Sequence, residues 1–429
     1  MTEGSDELRN ARAAEIAAGR VLGAGVAACS LLWNPWTFDW LLGSGTLEHP
    51  GLRRVVLGIG ILLLVVGTAM MRQGGRVAAR FGLLVFTVFL IFPLAAEGLI
   101  RVGIRVEHPQ LYDPALFADP LADDDNWKLW FRWSTKPQIQ QAPTVDAELG
   151  WAPRVTRPNP LGVHRETPYE VDRAARAVLF HGDSFVHGTT ALPDRIPQRL
   201  EKELAGPPVY NYGVGGYGVG QVYLRMLRSL ESFDDPVVLF GIFTMDLDRT
   251  ILSVRSGPKP RFRLGRDDEL IIEGGPFEMD PREWFESHPP SIRSFGASFL
   301  AQWNRKRAAE GQWTESRYRR DTKMAVNEKI LDLARAAAAE RDVPILFVMF
   351  VPKSRLGNPG WRERFLARFM GERNQPWIDT SVVLLEAARR SGKDARDFYG
   401  DDGHPNAEGN AILARAIAGR FAKGFGTGP

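Results

Sequence analysis

Residues 177–188 read AVLFHGDSFVHG, a short apolar run followed at once by the turn formers Gly182, Asp183 and Ser184. This pattern predicts a β-strand that ends just before the serine. The carboxyl ends of parallel strands are where open α/β sheets place their ligands, because the following loop and the positive end of the next helix meet there. Ser184 is therefore either a nucleophile or part of an ordinary strand-to-helix turn. A base and an acid elsewhere in the sequence would favour the first interpretation.

Apolar runs alternate with helical patterns from residue 177 onward. This alternation predicts a parallel sheet covered by helices on both faces, with right-handed crossovers. The stretch 250–320 interrupts the rhythm, and we interpret it as an insertion that carries a hairpin with its turn at residues 265–268. The predicted strands are 178–180, 209–211, 237–243, 345–351 and 377–378, and the predicted helices are 192–205, 219–233, 326–341 and 406–422.

The first hundred residues contain the longest apolar segments. Residues 55–71 carry no charge, and residues 81–100 are interrupted only by Pro93 and Glu97, so both segments are long enough to cross a bilayer. An earlier segment, 21–43, is weaker because a proline and an aspartate lie within it, although its three tryptophans suit a membrane interface. We therefore expect residues 1–104 to form a membrane anchor with two or three transmembrane helices.

Arginines near these segments predict the orientation of the anchor. Three arginines precede the first segment, and Arg72, Arg76 and Arg80 lie between the second and third. Three crossings with a cytoplasmic N-terminus would keep both groups inside, which places the chain after about residue 104 outside the cytoplasm, at the periplasmic face of the inner membrane. A lipoprotein cleavage site at Cys29 is the alternative, but the acidic residues before it are atypical of a signal peptide.

Composition narrows the classes of function. The chain has 54 Lys and Arg against 51 Asp and Glu, and no basic block is interleaved with aromatic residues, so we expect no nucleic-acid partner. Its single cysteine rules out an internal disulfide and a cysteine-based zinc site, and the seven histidines do not pair at metal-ligand spacing. We therefore predict no metal and no cofactor. Residues 105–176, rich in Pro, Asp and Trp, are predicted to connect the anchor to the following domain and to pack on it.

A histidine near the end of the chain is the candidate base for the serine. Residues 401–406 read DDGHPN and come just before a helical pattern. A serine hydroxyl needs a base that is itself oriented by an acid, and Asp401, three residues before His404, is placed to bond the ring Nδ1 while Nε2 faces outward. The alternative is a capped helix start that contains an incidental histidine.

A glycine-rich turn follows the second predicted strand. Residues 211–218 read NYGVGGYG, and glycines allow backbone N–H groups to approach a ligand closely, as an oxyanion requires. Gly213, Gly215 and Gly218 also match the dinucleotide-binding pattern GxGxxG. No acidic residue ends a following strand at the required distance, so the nucleotide-binding interpretation is disfavoured.

Taken together, the blocks GDSF, NYGVGGYG and DDGH resemble those of the SGNH (GDSL-type) hydrolase family over residues 177–425. The resemblance implies a flavodoxin-like three-layer α/β/α sandwich on a five-stranded parallel sheet, preceded here by transmembrane helices. It also implies that Ser184 is the nucleophile, His404 the base and Asp401 the orienting acid. The amides of Ser184 and Gly216, with an asparagine side chain, would form the oxyanion hole.

The sequence departs from the family pattern after the third predicted strand. Residues 243–246 read FTMD, so Met245 stands where the family has asparagine. A thioether cannot donate a hydrogen bond, and the loss of one oxyanion donor typically lowers turnover by roughly 100- to 1000-fold. Thr244 is a candidate replacement donor if the loop is shifted. For His181 and His187, which flank the serine loop, we expect packed or surface positions.

The resemblance to membrane-tethered bacterial relatives implies a function. The implied function is that of an extracytoplasmic serine esterase or O-acyltransferase. Such an enzyme acts on an acyl ester, especially an acetyl ester, of a glycan or lipid through an acyl-serine intermediate. A multi-pass acyltransferase is an expected partner in the membrane. The alternative, motivated by Met245, is a catalytically impaired member that binds glycan or acts as a scaffold in such a complex.

Overall fold

The computed structural model describes residues 3–42, 50–133, 144–310 and 317–424. The chain divides into two compact units. The first comprises Met1–Thr135 and Ser287–Arg320, and the second comprises Lys136–Glu286 and Asp321–Pro429. We predicted that residues 105–176 connect the anchor to the following domain and pack on it, and that residues 250–320 form an insertion in that domain. In the structure each of these two stretches is divided between the two units.

The first unit is helical in its described part. Helices α4 and α5 form one continuous stretch through a π-helical turn at Thr87–Ile91, which precedes Pro93. A proline lacks the N–H that an α-helix requires, so a wider turn ahead of it accommodates the missing bond. The helices are α1 (Glu3–Cys29), α2 (Pro35–Leu42), α3 (Pro50–Gln73), α4 (Arg76–Phe86), α5 (Phe92–Arg105), α6 (Asp124–Trp133) and α12 (Phe295–Glu310).

Two helical stretches of the described residues are long and apolar enough to cross a membrane. They are Arg53–Gln73 and Arg76–Arg105, with mean hydropathies of 2.2 and 2.3. Both contain segments predicted to do so, on the same grounds of length and composition. The weaker predicted segment, 21–43, is not one helix, because α1 ends at Cys29 and α2 begins at Pro35.

Small residues bring α1 and α3 into close contact. A Cβ added at Gly67 would lie 2.4 Å from the amide nitrogen of Ala27, and one added at Gly23 would lie 2.8 Å from that of Met71. Glycines at such positions allow two helix backbones to approach closely, as they do in membrane helix pairs. The first helix is therefore packed on the apolar helix α3 although it carries more charge.

A carboxylate explains why residues 287–310 join the first unit. Glu97 on α5 accepts hydrogen bonds from the amides of Phe295 and Gly296 and from the hydroxyl of Ser294, at 3.2, 2.7 and 2.9 Å. These groups form the start of α12, where unsatisfied N–H groups favour a negative charge. A residue about 200 positions earlier in the chain thus caps this helix.

The second unit contains a five-stranded parallel sheet, which confirms the predicted α/β class and the predicted number of strands. Its strand order is β4-β3-β5-β8-β9, and helices connect the strands. Strands β3, β4 and β5 are buried along their whole length, as a sheet covered on both faces requires. The strands are β3 (Ala177–Gly182), β4 (Val209–Gly213), β5 (Pro236–Phe243), β8 (Ile345–Phe350) and β9 (Trp377–Asp379).

Helices cover the two faces of this sheet. The connection from β3 to β4 crosses the sheet in the opposite direction to the later connections. Because such connections are right-handed, its helix lies on the opposite face of the sheet from the helices of the later connections. Helix α16 packs against both α8 and α15. Two of these helices, α14 and α15, were not predicted. The longer helices are α8 (Ile196–Leu204), α9 (Val219–Leu230), α13 (Arg317–Ala339), α14 (Trp361–Glu372), α15 (Thr380–Ser391) and α16 (Ala407–Ala422).

Two small hairpins complete the second unit. The predicted hairpin in the insertion is present, with β6 (Arg261–Leu264) paired to β7 (Leu270–Glu273). A second hairpin, β1 (Thr144–Asp146) with β2 (Gly150–Ala152), was not predicted. All three residues of β2 are buried, and Trp151 and Ala152 belong to the core of this unit.

Candidate active site

The predicted site residues lie at the carboxyl edge of the parallel sheet. Ser184 follows β3 and begins the short helix α7 (Ser184–His187), Gly216 lies in the loop after β4, and Met245 follows β5. His404 lies in the turn before α16. All four positions belong to the second unit.

Ser184 and His404 are in hydrogen-bonding contact. His404 Nε2 lies 2.9 Å from Ser184 Oγ, although the two residues are 220 positions apart. The serine is held by Asp183, whose Oδ1 accepts the amide hydrogen of Phe185 at 2.8 Å and caps α7. The ring of Phe185 packs against the imidazole at 4.9 Å and stacks on Phe243 at 4.1 Å. The nucleophile and base positions are thus supported by an aromatic layer.

The carboxylate nearest to the histidine ring belongs to Asp402. Asp402 Oδ2 lies 3.4 Å from His404 Nδ1, and Asp402 Oδ1 accepts the amide hydrogen of His404 at 3.0 Å. The structure records no contact between the ring and the exposed Asp401 among the described residues. The turn thus directs the side chain of Asp402 back to the ring, whereas the sequence pattern predicted Asp401 in this place.

The environment of Asp402 favours its charged form. Burial acts to raise the pKa of this carboxyl, but hydrogen bonds from Thr189 and from the His404 amide, with the charge of the imidazole, lower it overall. A carboxylate beside Nδ1 stabilises the imidazolium that forms when the base takes a proton. The Nδ1 atom is buried, and the 3.4 Å approach falls short of a hydrogen bond.

A buried arginine ties the serine turn to the end of β5. Arg249 Nη1 donates to Asp183 Oδ2 at 2.9 Å, to the Tyr217 carbonyl at 3.0 Å and to Asp246. Burial opposes the charge on Arg249, but the two carboxylates outweigh it and raise its pKa. Asp183 Oδ2 also accepts the Ser184 hydroxyl at 3.2 Å. Because Arg249 balances the negative charge of Asp183, this carboxylate attracts the serine proton less strongly and competes less with His404 for it.

The glycine loop lies against the serine. A Cβ added at Gly215 would lie 3.9 Å from Ser184 Cβ, and Gly216 has φ +84, which favours glycine. Within the described part of the chain, the amides of Ser184 and Gly216 donate no hydrogen bond to another protein group. Both N–H groups are therefore able to serve a ligand, as the family resemblance requires.

Trp151 orients the peptide that carries the Gly216 amide. Its indole N–H donates to the Gly215 carbonyl at 3.3 Å. That carbonyl and the Gly216 N–H belong to one planar trans peptide and point in opposite directions, so holding one directs the other. Tyr217 packs on the tryptophan ring at 5.6 Å and its hydroxyl donates to the Trp151 carbonyl. Trp151 lies in the predicted connecting segment, where no local sequence signal points to this contact.

The end of β5 shows no replacement for the missing asparagine. Met245 is partly buried and packs against the core, immediately before helix α10 (Asp246–Arg249). Thr244 has no exposed surface, and its amide donates to the Phe350 carbonyl at 2.9 Å. A fully buried hydroxyl does not reach a substrate oxygen, so Thr244 is not the donor in this conformation.

The two histidines that flank the serine loop are packed. His181 is fully buried, stacks on Tyr212 at 4.7 Å and lies 3.0 Å from Ser229 Oγ. His187 stacks on His164 at 4.0 Å, and burial lowers the pKa of these two residues to about 4 and about 3, respectively. Both rings of the stack are therefore neutral near pH 7, which fits a packing role.

No three His, Cys, Asp or Glu side chains of the described ranges come together as a set of metal ligands. The site brings together Ser184, His404, Asp402 and the backbone amides of the serine turn and the glycine loop. Such a set is suited to acyl transfer through a covalent serine intermediate.

No protein-family model and no curated protein matches the chain. Among solved structures, the chain is similar to the crystal structure of a member of the lipolytic protein G-D-S-L family from Veillonella parvula DSM 2008. The match has 15% sequence identity and a TM-score of 0.34, and it covers 58% of this chain and 100% of the other.

Proposed function

We propose that this chain is a membrane-anchored, extracytoplasmic serine esterase or O-acyltransferase of the SGNH (GDSL-type) kind. The observation that carries the proposal is the 2.9 Å contact between Ser184 Oγ and His404 Nε2, beside free backbone amides at the carboxyl edge of a parallel sheet. A chance turn would have no reason to bring a histidine from the end of the chain onto a serine at a helix start. The substrate class, an acetyl or related ester of a glycan or lipid, follows from the family resemblance.

The reaction uses two displacements at the acyl carbon. Ser184 Oγ attacks the carbonyl carbon as its proton passes to His404 Nε2, and the carbonyl electron pair moves to oxygen. Collapse of this oxyanion breaks the bond to the leaving alcohol, which takes the proton from His404. Water or an acceptor hydroxyl then attacks the acyl-serine, with the histidine again taking its proton, and Ser184 is regenerated. Asp402 stabilises the imidazolium in both halves.

Membrane attachment is part of the proposal. The apolar stretches Arg53–Gln73 and Arg76–Arg105 support an anchor in the inner membrane, and the distribution of arginines supports an active site outside the cytoplasm. At that face the substrate is an envelope glycan or a lipid-linked precursor. If Ser184 receives its acyl group from another membrane protein, the partner class that fits is a multi-pass acyltransferase that carries acyl groups across the membrane.

Met245 favours a second candidate function. Without the asparagine donor, the same fold would serve as a glycan-binding or scaffold subunit of a membrane acyltransferase complex. The contact between Ser184 and His404 argues for the enzyme, because a scaffold does not require an activated serine.

Labelling with a fluorophosphonate probe tests the proposal. The detergent-solubilised protein is compared with the Ser184→Ala and His404→Ala variants and with Ser391→Ala, a control at an exposed serine on α15. We expect wild type and the control to label and both site variants to lose labelling. A folded wild-type protein that does not label would refute the enzyme and favour the scaffold. Release of acetate from acetylated glycans, with and without an added acceptor, then distinguishes hydrolysis from transfer.

A further inference from the structure

An arginine of the insertion lies beside the expected oxyanion hole. A Cβ added at Gly216 would lie 3.6 Å from Arg255 Nε and 3.0 Å from Ser256 Oγ. The same point is 3.5 Å from Trp151 Cζ2, so the indole and the guanidinium flank this glycine. Arg255 is half-buried, whereas Ser256 is exposed. The insertion therefore brings a strong hydrogen-bond donor next to the glycine whose amide is expected in the oxyanion hole.

The loop that carries Arg255 is held in place by a buried lysine. Lys259 Nζ donates to the carbonyls of Arg249, Leu252 and Pro260 at 3.0, 2.7 and 2.8 Å. The Arg255 amide donates to the Gly257 carbonyl at 3.0 Å and closes a tight turn. An ammonium that satisfies three carbonyls fixes the path of the backbone, so the arginine is presented from a defined loop.

Charges around the site explain how a second guanidinium is accommodated. Burial and the positive charge of Arg249 lower the pKa of Arg255 to about 9, while the nearby carboxylates of Asp246 and Asp183 act to raise it. At neutral pH the guanidinium remains charged in a partly desolvated position. Charged groups in such positions are concentrated at functional sites, where a desolvated charge interacts strongly with a reacting group.

We propose that Arg255 supplies the third oxyanion donor in place of the family asparagine, which Met245 has replaced. The inference rests on the proposed function, since it concerns the same acyl transfer. When Ser184 Oγ bonds to the acyl carbon and its proton moves to His404, the carbonyl oxygen gains a negative charge. The guanidinium donates a hydrogen bond to that oxygen beside the Ser184 and Gly216 amides, and the bond is released when the carbonyl re-forms and the alcohol leaves.

A guanidinium has a physical advantage in this role. Hydrogen bonds in which the donor or the acceptor is ionised are shorter and roughly twice as strong as those between neutral groups, and a guanidinium also places a positive charge beside the oxyanion. Because the charge is present only after nucleophilic attack, the interaction acts on the transition state and not on substrate binding. We therefore expect removal of Arg255 to lower kcat and to leave KM nearly unchanged.

The first test measures kcat and KM for p-nitrophenyl acetate, together with the fluorophosphonate labelling rate. Arg255→Met keeps the apolar stem and removes the donors, and we expect it to lower kcat by about 100-fold. Arg255→Lys keeps the charge and should recover part of this loss. Arg261→Ala, at an exposed arginine on β6, and Ser256→Ala are controls that should stay within about threefold of wild type. Thermal unfolding of each variant verifies that it is folded.

The second test restores the family residue. In the Arg255→Met background, Met245→Asn should recover at least about tenfold in kcat, because one oxyanion donor is returned. A merely structural role for Arg255 would not respond to this change.

Four results would overturn the assignment: an unchanged kcat in Arg255→Met, a defect confined to KM, a larger loss in Ser256→Ala, or no recovery on adding asparagine. The proposed function fails separately, if wild type does not label.

Discussion

Replacing Asp402 by asparagine tests which aspartate orients His404, the proposed general base. The substitution removes the charge that lies 3.4 Å from His404 Nδ1. It leaves an amide oxygen in the place of the Oδ1 atom that accepts the His404 amide hydrogen at 3.0 Å, so the turn is preserved. Asp401→Asn is the matched control, because it makes the same change one residue away at an exposed side chain.

The size of the effect follows from the distance and the exposure. Opposite charges 3.4 Å apart attract by about 5 kcal/mol at an effective dielectric constant near 20, and by about 1.2 kcal/mol at that of water. The Asp402 side chain is 49% exposed, so solvent screening places the value towards the lower limit. We take about 2 kcal/mol, which predicts a fall in kcat of about 30-fold.

The assay is the steady-state hydrolysis of p-nitrophenyl acetate at pH 7.5 by the detergent-solubilised protein. Because the imidazolium forms only during the reaction, the loss should appear in kcat while KM stays close to that of wild type. We expect Asp401→Asn to remain within about threefold of wild type. The reverse result, with activity lost in Asp401→Asn and kept in Asp402→Asn, would refute the geometric argument and restore the aspartate of the family motif.

Three further predictions concern positioning and stability. Trp151→Phe keeps an aromatic ring but removes the indole donor, and kcat for p-nitrophenyl acetate should fall by about three- to tenfold at a temperature where the variant is fully folded. An unchanged rate would mean that the hydrogen bond from Trp151 to the Gly215 carbonyl does not orient the glycine loop. Gly67→Ala should lower the free energy of unfolding in detergent by about 1–3 kcal/mol through overpacking, whereas Gly58→Ala, which has open space around it, should not; equal effects would contradict the close helix contact. Burial lowers the pKa values of His164 and His187 to about 3 and about 4, so the unfolded chain takes up protons first, and thermal stability should be retained above about pH 6.5 and fall as the pH approaches 4. His164→Phe should flatten that profile, and a variant profile as steep as that of wild type would count against the assignment.

Much of the second unit was predictable because its strands are fully buried. A parallel sheet covered on both faces requires continuous apolar runs, and each of the five predicted strands coincides with an observed one. Helix α14 (Trp361–Glu372) was missed although it buries Phe365, Leu366, Phe369 and Met370 at helical spacing. Its arginines and glutamates interrupt the apolar pattern. The apolar face of this helix is recognisable only once the sheet beneath it is known.

The assignment of residues 287–310 to the first unit was not predictable from composition. Residues 287–310 join the first unit because Glu97 caps α12, and a contact between positions so far apart leaves no local signal. The sequence showed only that the rhythm of strands and helices stopped within the insertion. Hydrogen bonds that form on folding determine which part of the insertion belongs to each unit.

The sequence by itself determined the parallel sheet, the turn that presents Ser184, the glycine loop and the histidine before the last helix. These features depend on local patterns, because turn formers and apolar runs act on their immediate neighbours. The tertiary structure alone decided that Asp402 faces the imidazole, and that Trp151 and Arg255 flank Gly216. The direction of a side chain in a turn, and contacts across tens of residues, depend on the path of the folded backbone and not on sequence spacing.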